Sequence, residues 1–182
     1  MAKVLLGMTV SLDGFVNDRD GGVGRLFPDL GALRETEAMR EAIRTTGAVV
    51  MGRRAYEMGP DYTGYEFQVP IFVLTHRPPE RPATGENDRL TFTFVSDGIE
   101  SAVRQARVAA GDRDVAVIGG ANTAQQALRA GLVDELQIDV RPVLLGGGLR
   151  LFEHLDDAPL ELERIGVRES PTTTDLRFRV LR

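Results

Sequence analysis

The sequence predicts an α/β fold with a central, mostly parallel mixed sheet, helices on both of its faces and antiparallel strands at its C-terminal end. Strand and helix patterns alternate over the first 130 residues, which is typical of a parallel sheet with helical crossovers. Residues 48–51 and 115–118 are continuously apolar, as strands buried on both faces should be. The last fifty residues are rich in strand patterns and lack long helices, so we expect antiparallel strands to complete the same sheet.

Eight strand-like runs follow one another along the chain, each mainly apolar or alternating in character. They cover residues 4–10, 48–51, 71–75, 90–95, 115–118, 136–143, 160–167 and 174–181. The segment richest in proline and glycine, residues 77–85, lies between two of these runs, and its prolines are incompatible with a helix. We therefore expect it to be a surface loop.

The longest helical pattern spans about residues 29–46 and starts with Asp29 as N-cap. At 100° per residue, one face of this helix should pack on the sheet. That face consists of Ala32, Thr36, Met39, Ala42, Ile43 and Thr46. Glu35 falls on the inward face, whereas Glu37 and Glu41 point away. A carboxylate on an apolar face is costly unless it is paired or lines a site. Glu35 is thus the best acid candidate, and a side chain that reaches out to a nearby loop is an equally good account.

Two further helices are indicated by their end signals. Asp97 and Glu100 have the spacing of a capping box and precede a helical pattern. Another helix is expected over residues 123–130, with Asn122 as its N-cap and Gly131 as its stop signal. Both helices fall between strands, as the alternating fold requires.

Composition excludes several classes of protein. A chain of 182 residues is expected to form one domain, residues 1–182, with a core large enough to need no metal or disulfide. The absence of cysteine excludes disulfides, a thiol nucleophile and a zinc–thiolate site, and two histidines, His76 and His154, are too few to suggest a metal cluster. The net charge of -5 argues against a nucleic-acid partner. No apolar run approaches membrane-spanning length, so we expect a cytoplasmic protein with no membrane partner.

Basic residues follow two of the predicted strands. Gly52, Arg53 and Arg54 come directly after the apolar run 48–51, at the start of a short helical pattern. Thr75, His76 and Arg77 form a second set at the end of the next strand along the chain. Ligands of open α/β sheets bind beyond the carboxyl ends of the strands, so a shared phosphate would explain both sets. Solvated arginines on a short surface helix and an ordinary loop are the alternatives.

A diglycine follows the apolar run 115–118. The segment runs through Gly119, Gly120, Ala121, Asn122 and Thr123 into a helix. Missing Cβ atoms let a ligand approach the backbone closely, and a helix N-terminus suits a pyrophosphate. The pattern matches neither of the glycine-rich nucleotide motifs. Tight packing of the turn is the alternative explanation.

The first strand ends in Ser-Leu-Asp-Gly, where Asp13 and Gly14 form a strong turn signal. Asp13 is either a turn former, which its sequence context favours, or a catalytic carboxylate. The polar, glycine-rich residues 17–24 come next, and they are a loop that could act as a lid over a pocket.

Taken together, these motifs resemble the dihydrofolate reductase superfamily, and more closely the C-terminal reductase domain of the bifunctional riboflavin-biosynthesis deaminase-reductase. The resemblance rests on residues 11–14, 50–54, 73–75, 117–122, 133–136 and 142–148. It implies a dihydrofolate-reductase-like three-layer sandwich and NADPH as the cofactor.

The resemblance also implies roles for the basic and glycine-rich segments. Residues Gly52, Arg53 and Arg54 are similar to the site for the adenosine 2'-phosphate and pyrophosphate. Thr75, His76 and Arg77 are similar to further 2'-phosphate contacts. Gly119, Gly120, Ala121, Asn122 and Thr123 are similar to the cradle for the pyrophosphate and nicotinamide ribose. Arginines in place of an acidic residue favour NADP over NAD.

On the substrate side the resemblance is looser. Dihydrofolate reductases hold the pterin ring with a carboxylate on the first helix, and the matching position is Thr36, next to Glu35. Riboflavin-pathway reductases carry a glutamate in the strand before the glycine turn, where this chain has Ile118. Residues 133–148 resemble a segment that makes dimer contacts in that branch, so a homodimer is expected.

The leading hypothesis is an NADPH-dependent reductase that transfers a hydride to a small pteridine- or pyrimidine-like heterocycle. Asp13 or Glu35 would position the substrate or relay the proton. The first alternative is the 5-amino-6-(5-phosphoribosylamino)uracil reductase of riboflavin biosynthesis. The second is a non-catalytic, dimeric NADP-binding module.

Overall fold

A computed structural model describes residues 2–155, 159–170 and 172–181, and within these ranges the chain forms eight strands and five helices. The elements in chain order are β1 (Val4–Ser11), α1 (Leu30–Arg34), α2 (Glu37–Thr45), β2 (Thr46–Gly52), α3 (Arg53–Glu57), β3 (Ile71–Leu74), β4 (Phe92–Val95), α4 (Ile99–Ala110), β5 (Asp114–Ile118), α5 (Ala121–Arg129), β6 (Glu135–Arg141), β7 (Leu162–Glu169) and β8 (Thr174–Val180). Each of the eight predicted strands is present, with ends that differ by a few residues.

All eight strands form one sheet in the order β4-β3-β2-β5-β1-β6-β8-β7. The first six strands of that order, β4 to β6, are parallel to one another. Strand β8 is antiparallel to both β6 and β7. The predicted sheet, mostly parallel with antiparallel strands at the C-terminal end, is therefore confirmed.

The two faces of the sheet are covered by different elements. On the first face, Leu6, Val50, Val117 and Leu136 pack with the alanine-rich buried sides of α4 and α5. On the second face, β2, β3 and β5 pack against α2, α3 and an aromatic loop, residues 58–70. Strand side chains alternate between faces, so each central strand contributes to both layers. The result is a three-layer arrangement of helix, sheet and helix.

The predicted helix over residues 29–46 is two helices, because the chain leaves helical geometry at Thr36. Asp29 caps α1 as expected, accepting a hydrogen bond from the backbone N–H of Ala32 at 2.9 Å. Thr36 has an extended ψ of 147° and caps α2 instead, accepting from the N–H of Met39 at 3.2 Å. This break changes the helical phase, so the inward orientation predicted for Glu35 is wrong. Its side chain is 81% exposed.

Two predicted N-caps are also wrong. Helix α4 begins after Gly98, which has φ 103°, and no side chain caps it, so Asp97 and Glu100 do not form a capping box. Helix α5 begins at Ala121 after Gly120, two residues before the predicted start, and Asn122 lies inside it. Glycines replace the polar caps because both turns require a positive φ that other residues rarely adopt. The stop signal at Gly131 is confirmed by its φ of 63° after the end of α5.

In the described part of the chain, no helix is long and apolar enough to cross a membrane.

Candidate active-site cleft

A cleft of about 1470 Å³ opens on the second face of the sheet, and its lining includes residues of α2 and of strands β1, β6 and β8. Its lining runs from the glycine turn after β5, across the sheet, to the turn between β7 and β8. Residues 17–24 contribute to its rim, as the lid hypothesis requires, and Arg19 ties this loop to the Gly146 carbonyl at 3.0 Å. The volume exceeds that of an ordinary small-ligand pocket, roughly 300–1,000 Å³.

The glycine turns after β2 and β5 adjoin one another at one end of the cleft. The N–H of Gly52 donates to the carbonyl of Gly119 at 3.3 Å. A Cβ on Gly52 would lie 2.6 Å from the Thr123 hydroxyl, and one on Gly119 would lie 2.5 Å from the Ala55 Cβ. Packing therefore requires glycine at both positions, and for Gly119 this agrees with the tight-packing alternative. The side chain of Thr123 is buried and fills the junction.

Gly120 is different, because it is not needed for close packing. It has φ 86°, and the nearest side-chain atom to a Cβ placed there would be 3.6 Å away. Gly119, Gly120 and Ala121 line the cleft, and no side chain caps the α5 N-terminus behind them. The structure thus presents uncapped backbone N–H groups to the cleft, which suits an anion. The side-chain oxygen of Asn122 accepts a hydrogen bond from the Gln126 amide at 2.5 Å, and Asn122 does not line the cleft.

The two predicted basic sets are brought together beside this turn. Arg53 donates to the Arg77 carbonyl at 3.3 Å and forms an ion pair with Glu57 at 2.7 Å. The buried Thr75 hydroxyl donates to the same Arg77 carbonyl at 2.7 Å and accepts from its N–H at 3.2 Å. His76 and Arg77 are exposed. Arg53, His76 and Arg77 are consequently exposed at the carboxyl ends of β2 and β3, and the buried Thr75 hydroxyl holds the backbone of Arg77 there.

Arg54 lies on the other side of α3 and lines the cleft itself. Among the residues that the structure describes, it has no ion-pair partner. The arginine pair is therefore divided: Arg53 contacts the Arg77 carbonyl, and Arg54 lines the cleft that Gly119 and Gly120 also line. Sequence spacing alone did not separate the two.

Asp13 does not line the cleft. Its carboxylate accepts hydrogen bonds from the Ser11 hydroxyl at 2.6 Å and from the N–H groups of Leu145 and Gly146 at 3.1 and 2.8 Å. The hydrogen bond from Ser11, with the two backbone donors, lowers the pKa of Asp13 to about 2. An ionised carboxylate with this many protein donors fastens two loops together. The geometry favours the turn-forming interpretation over a catalytic one.

Glu35 is also outside the cleft. It caps the end of α1, is solvent-exposed, and lies 3.6 Å from Arg40 in an ion pair. A substrate carboxylate on the first helix is therefore not provided by Glu35. Glu41, predicted to point away from the sheet, instead accepts a 2.8 Å hydrogen bond from Arg168 of β7.

The cleft has a carboxyl pair on its floor that the sequence analysis did not identify. Asp139 of β6 and Asp175 of β8 are direct cross-strand partners, and both line the cleft. Burial, followed by the charge of Asp175, raises the pKa of Asp139 to about 6. Burial also raises the pKa of Asp175, which is only 4% exposed. The only signal in the sequence is that Gln137 and Asp139 alternate with apolar residues, which is also the pattern of a strand facing solvent.

One side chain of the protein donates a hydrogen bond to this carboxyl pair, and other carboxyl oxygens of the pair lack a donor. The Gln137 amide donates to Asp175 Oδ2 at 2.7 Å, whereas Asp175 Oδ1 is buried with no hydrogen-bond partner. No donor in the described residues hydrogen-bonds the Asp139 carboxyl. The arrangement can hold a proton or accept hydrogen bonds from a ligand. In the described residues no group of histidine, cysteine, aspartate and glutamate side chains is suited to a metal ion.

Comparison with known proteins relates this architecture to solved structures. A Thermotoga maritima protein named diaminohydroxyphosphoribosylaminopyrimidine deaminase/5-amino-6-(5-phosphoribosylamino)uracil reductase aligns over 99% of this chain and 57% of its own, with TM-score 0.71 and 14% identity. The yeast Saccharomyces riboflavin biosynthesis reductase Rib7 aligns over 100% of this chain and 89% of its own, with TM-score 0.60 and 17% identity. A Shewanella sp. PV-4 protein, provisionally named for riboflavin biosynthesis, aligns over 99% of both chains, with TM-score 0.77 and 23% identity. These likenesses establish the fold and confirm the predicted dihydrofolate-reductase-like sandwich.

Sequence comparison points the same way. Bacillus subtilis YyaP is 23% identical over 158 residues, which cover 82% of this chain and 80% of YyaP. B. subtilis YwjB is 26% identical over 157 residues, which cover 84% of each chain. Both are described as uncharacterized proteins. The family model for the RibD C-terminal domain matches residues 2–174, nearly the whole length, and the chain belongs to that family.

Proposed function

We propose that this protein is an NADPH-dependent reductase that reduces a C=N or C=O bond of a small pteridine- or pyrimidine-like heterocycle. The observation that carries the proposal is the open turn at Gly120, with the uncapped start of α5 behind it, in a cleft that Arg54 also lines. Membership of the RibD C-terminal domain family supports it. The names of two structural neighbours, a uracil-type reductase and a riboflavin biosynthesis reductase, support it further.

The residues present fit a dinucleotide phosphate. Backbone N–H groups of residues 120–122 would bind the pyrophosphate, and Gly120 leaves room for it because it has no Cβ. Arg53, Thr75, His76 and Arg77 would surround the adenosine 2'-phosphate, with Arg54 nearer the pyrophosphate. When bound, NADPH supplies the hydride. The protein would hold the ring and the substrate in register.

The riboflavin-pathway reductase itself is the second candidate, because the Thermotoga and yeast neighbours are named for that activity. Ile118 replaces the glutamate that the resemblance expects before the glycine turn, which argues for a different heterocycle. Turnover of 5-amino-6-(5-phosphoribosylamino)uracil by the purified protein would decide for this candidate.

We also propose that the protein acts as a homodimer. Leu144, Leu149 and Phe152 are large apolar side chains with 69%, 44% and 47% of their surface exposed, in and next to the predicted dimer segment. Light scattering on the purified chain tests this, and a mass of one chain at micromolar concentration contradicts it.

The cofactor assignment is tested by calorimetry with NADPH and NADH at fixed salt. Arg53→Ala should weaken NADPH binding about tenfold, or about 1.4 kcal/mol, and leave NADH binding nearly unchanged, because only NADPH carries the 2'-phosphate. Arg89→Ala is the matched control, since Arg89 is exposed and precedes β4, at the amino ends of the strands, whereas Arg53 follows the carboxyl end of β2. Equal losses for both nucleotides would contradict the 2'-phosphate assignment. A wild type that binds neither nucleotide would contradict the reductase, and binding without turnover of any heterocycle would favour the non-catalytic module.

A further inference from the structure

A row of polar side chains crosses four strands on the floor of the cleft. Cross-strand registers place Thr9 of β1 beside Asp139 of β6, Asp139 beside Asp175 of β8, and Asp175 beside Arg168 of β7. Directly opposed residues have Cβ atoms roughly 5 Å apart on one face. The two carboxyl groups are therefore close neighbours, and both line the cleft.

Two nearby arginines offset only part of the cost of burying the pair, because they also pair with Glu41. The charges of Arg177 and Arg168 lower the pKa of Asp175, but burial outweighs them and the net shift is upward. Arg168 donates to Glu41 at 2.8 Å, and Arg177 also lies 3.6 Å from Glu41. Both guanidinium groups thus contact Glu41, and neither hydrogen-bonds Asp175 Oδ1, which is buried without a partner. A buried, uncompensated carboxylate is costly, and a proton on one member of the pair removes that cost.

The charged groups around the pair come from every element packed on it. They are Arg141 on β6, Asp175 and Arg177 on β8, Arg168 and Glu169 on β7, and Glu37 and Glu41 on α2. Arg141 lowers the pKa of Asp139, but burial and Asp175 outweigh it, and the net shift is upward, to about 6. Two opposed carboxyl groups that cannot both ionise freely titrate as one coupled unit, which keeps a proton to higher pH than a separate carboxyl group does.

We propose that Asp139 is the proton donor of the reduction and that Asp175 is a positioning residue that keeps the proton on the pair. The proposal rests on the proposed reductase function. It also requires the heterocycle to lie over β6 and β8, across the cleft from the glycine turn at which we place the cofactor. The substrate carbon receives the hydride of NADPH, and the adjacent nitrogen or oxygen receives the proton from the Asp139 carboxyl. The C=N or C=O π bond is reduced, NADPH is oxidised to NADP⁺, and Asp139 recovers its proton from solvent.

Carboxyl titration tests the pair without substrate. In protein labelled with ¹³C at the aspartate side-chain carboxyl, one resonance should titrate near pH 6. It should be absent from Asp139→Asn, present in Asp88→Asn, and moved to lower pH in Asp175→Asn, because a like charge has been removed. Asp88 is exposed in the loop before β4, so it is the matched control. A resonance near pH 6 that survives Asp139→Asn overturns the proposal, and so does an Asp139 that titrates near 4.

Turnover tests the catalytic part, with dihydrofolate and 5-amino-6-(5-phosphoribosylamino)uracil as the two probes. With the probe that the wild type reduces, Asp139→Asn should lower kcat at least 100-fold with the Kd for NADPH unchanged within twofold. The wild-type kcat should fall as pH rises through the Asp139 titration, and Asp175→Asn should move that fall to lower pH. If Asp139→Asn keeps both kcat and the pH dependence, the proton-donor assignment is overturned and the reductase stands. A wild type that binds no NADPH, or reduces neither probe, overturns both.

Discussion

The two faces of the sheet use the same strands for opposite purposes. On the first face, Leu6, Val117 and Leu136 pack with α4 and α5 in a continuous apolar core. On the second face, the neighbouring positions of those strands, Leu5 and Gln137 among them, line the cleft. The face under α4 and α5 is filled, whereas α2 covers only part of the other.

The difference shows how one alternating strand can contribute to stability and to a site at the same time. Strand β6 reads apolar and polar in turn, so its apolar half joins the core and its polar half becomes the floor of the cleft. On the face under α4 and α5, a polar group would lose its contact with water among apolar side chains, which is energetically costly. The open face holds Asp139 and Asp175, whose burial without a full set of partners is costly and is therefore expected to be functional.

The largest expected effect on stability comes from comparing Leu6 and Leu5, adjacent residues of β1 whose side chains lie on opposite faces of the sheet. Leu6→Ala should lower the free energy of unfolding by about 3 kcal/mol, because Leu6 is fully buried in the core and its loss leaves a cavity. Leu5→Ala is the matched control, since Leu5 is only partly buried and lines the cleft. Urea unfolding followed by circular dichroism measures both. Equal losses would show that the second face is as well packed as the first.

The next effect is an increase in the free energy of unfolding, and its size depends on pH. The pKa of Asp139 is about 6 in the folded protein, above its ordinary value of 3.8, so the protonated form stabilises the fold and that contribution is lost as pH rises through 6. Asp139→Asn should therefore raise the free energy of unfolding by about 2 kcal/mol at pH 8 and change it little at pH 4. Urea titrations at both pH values measure the difference. A variant that is less stable than the wild type at pH 8 would argue against a costly carboxylate there.

The smallest effect concerns the loops that frame the cleft. Asp13→Ala should lower the melting temperature by on the order of 2 °C at pH 7, because it removes the acceptor for Leu145 and Gly146. The pKa of Asp13 is lowered to about 2, so its contribution is present above pH 4 and lost as pH falls through 2. Wild type and variant should then converge in acid. Asp20→Ala, in the exposed loop nearby, is the control, and no change in either variant would leave Asp13 without a structural role.

Local chemistry determined much of this protein. Continuous apolar runs mark β2 and β5 as strands buried on both faces, and the alternation of strands and helices indicates a parallel sheet. Glycines and arginines at strand ends mark the edge where Gly120 and Arg54 now line the cleft. These predictions succeed because hydrophobic periodicity, glycine turns and clusters of charged residues depend on residues that are close together in the sequence.

Tertiary structure decided the rest. A periodic pattern from 29 to 46 hides the break at Thr36, since an extended residue with a capping hydroxyl leaves the sequence pattern on either side intact. That break exposes Glu35 and so removes it from the site. Asp139 and Asp175 are 36 positions apart in the chain and meet only through the antiparallel register of β6 and β8. The polar face of a strand can be exposed to bulk water or can form the floor of a cleft, and the position of α2 decides between the two. That position depends on contacts between residues far apart in the sequence, so no local pattern predicts it.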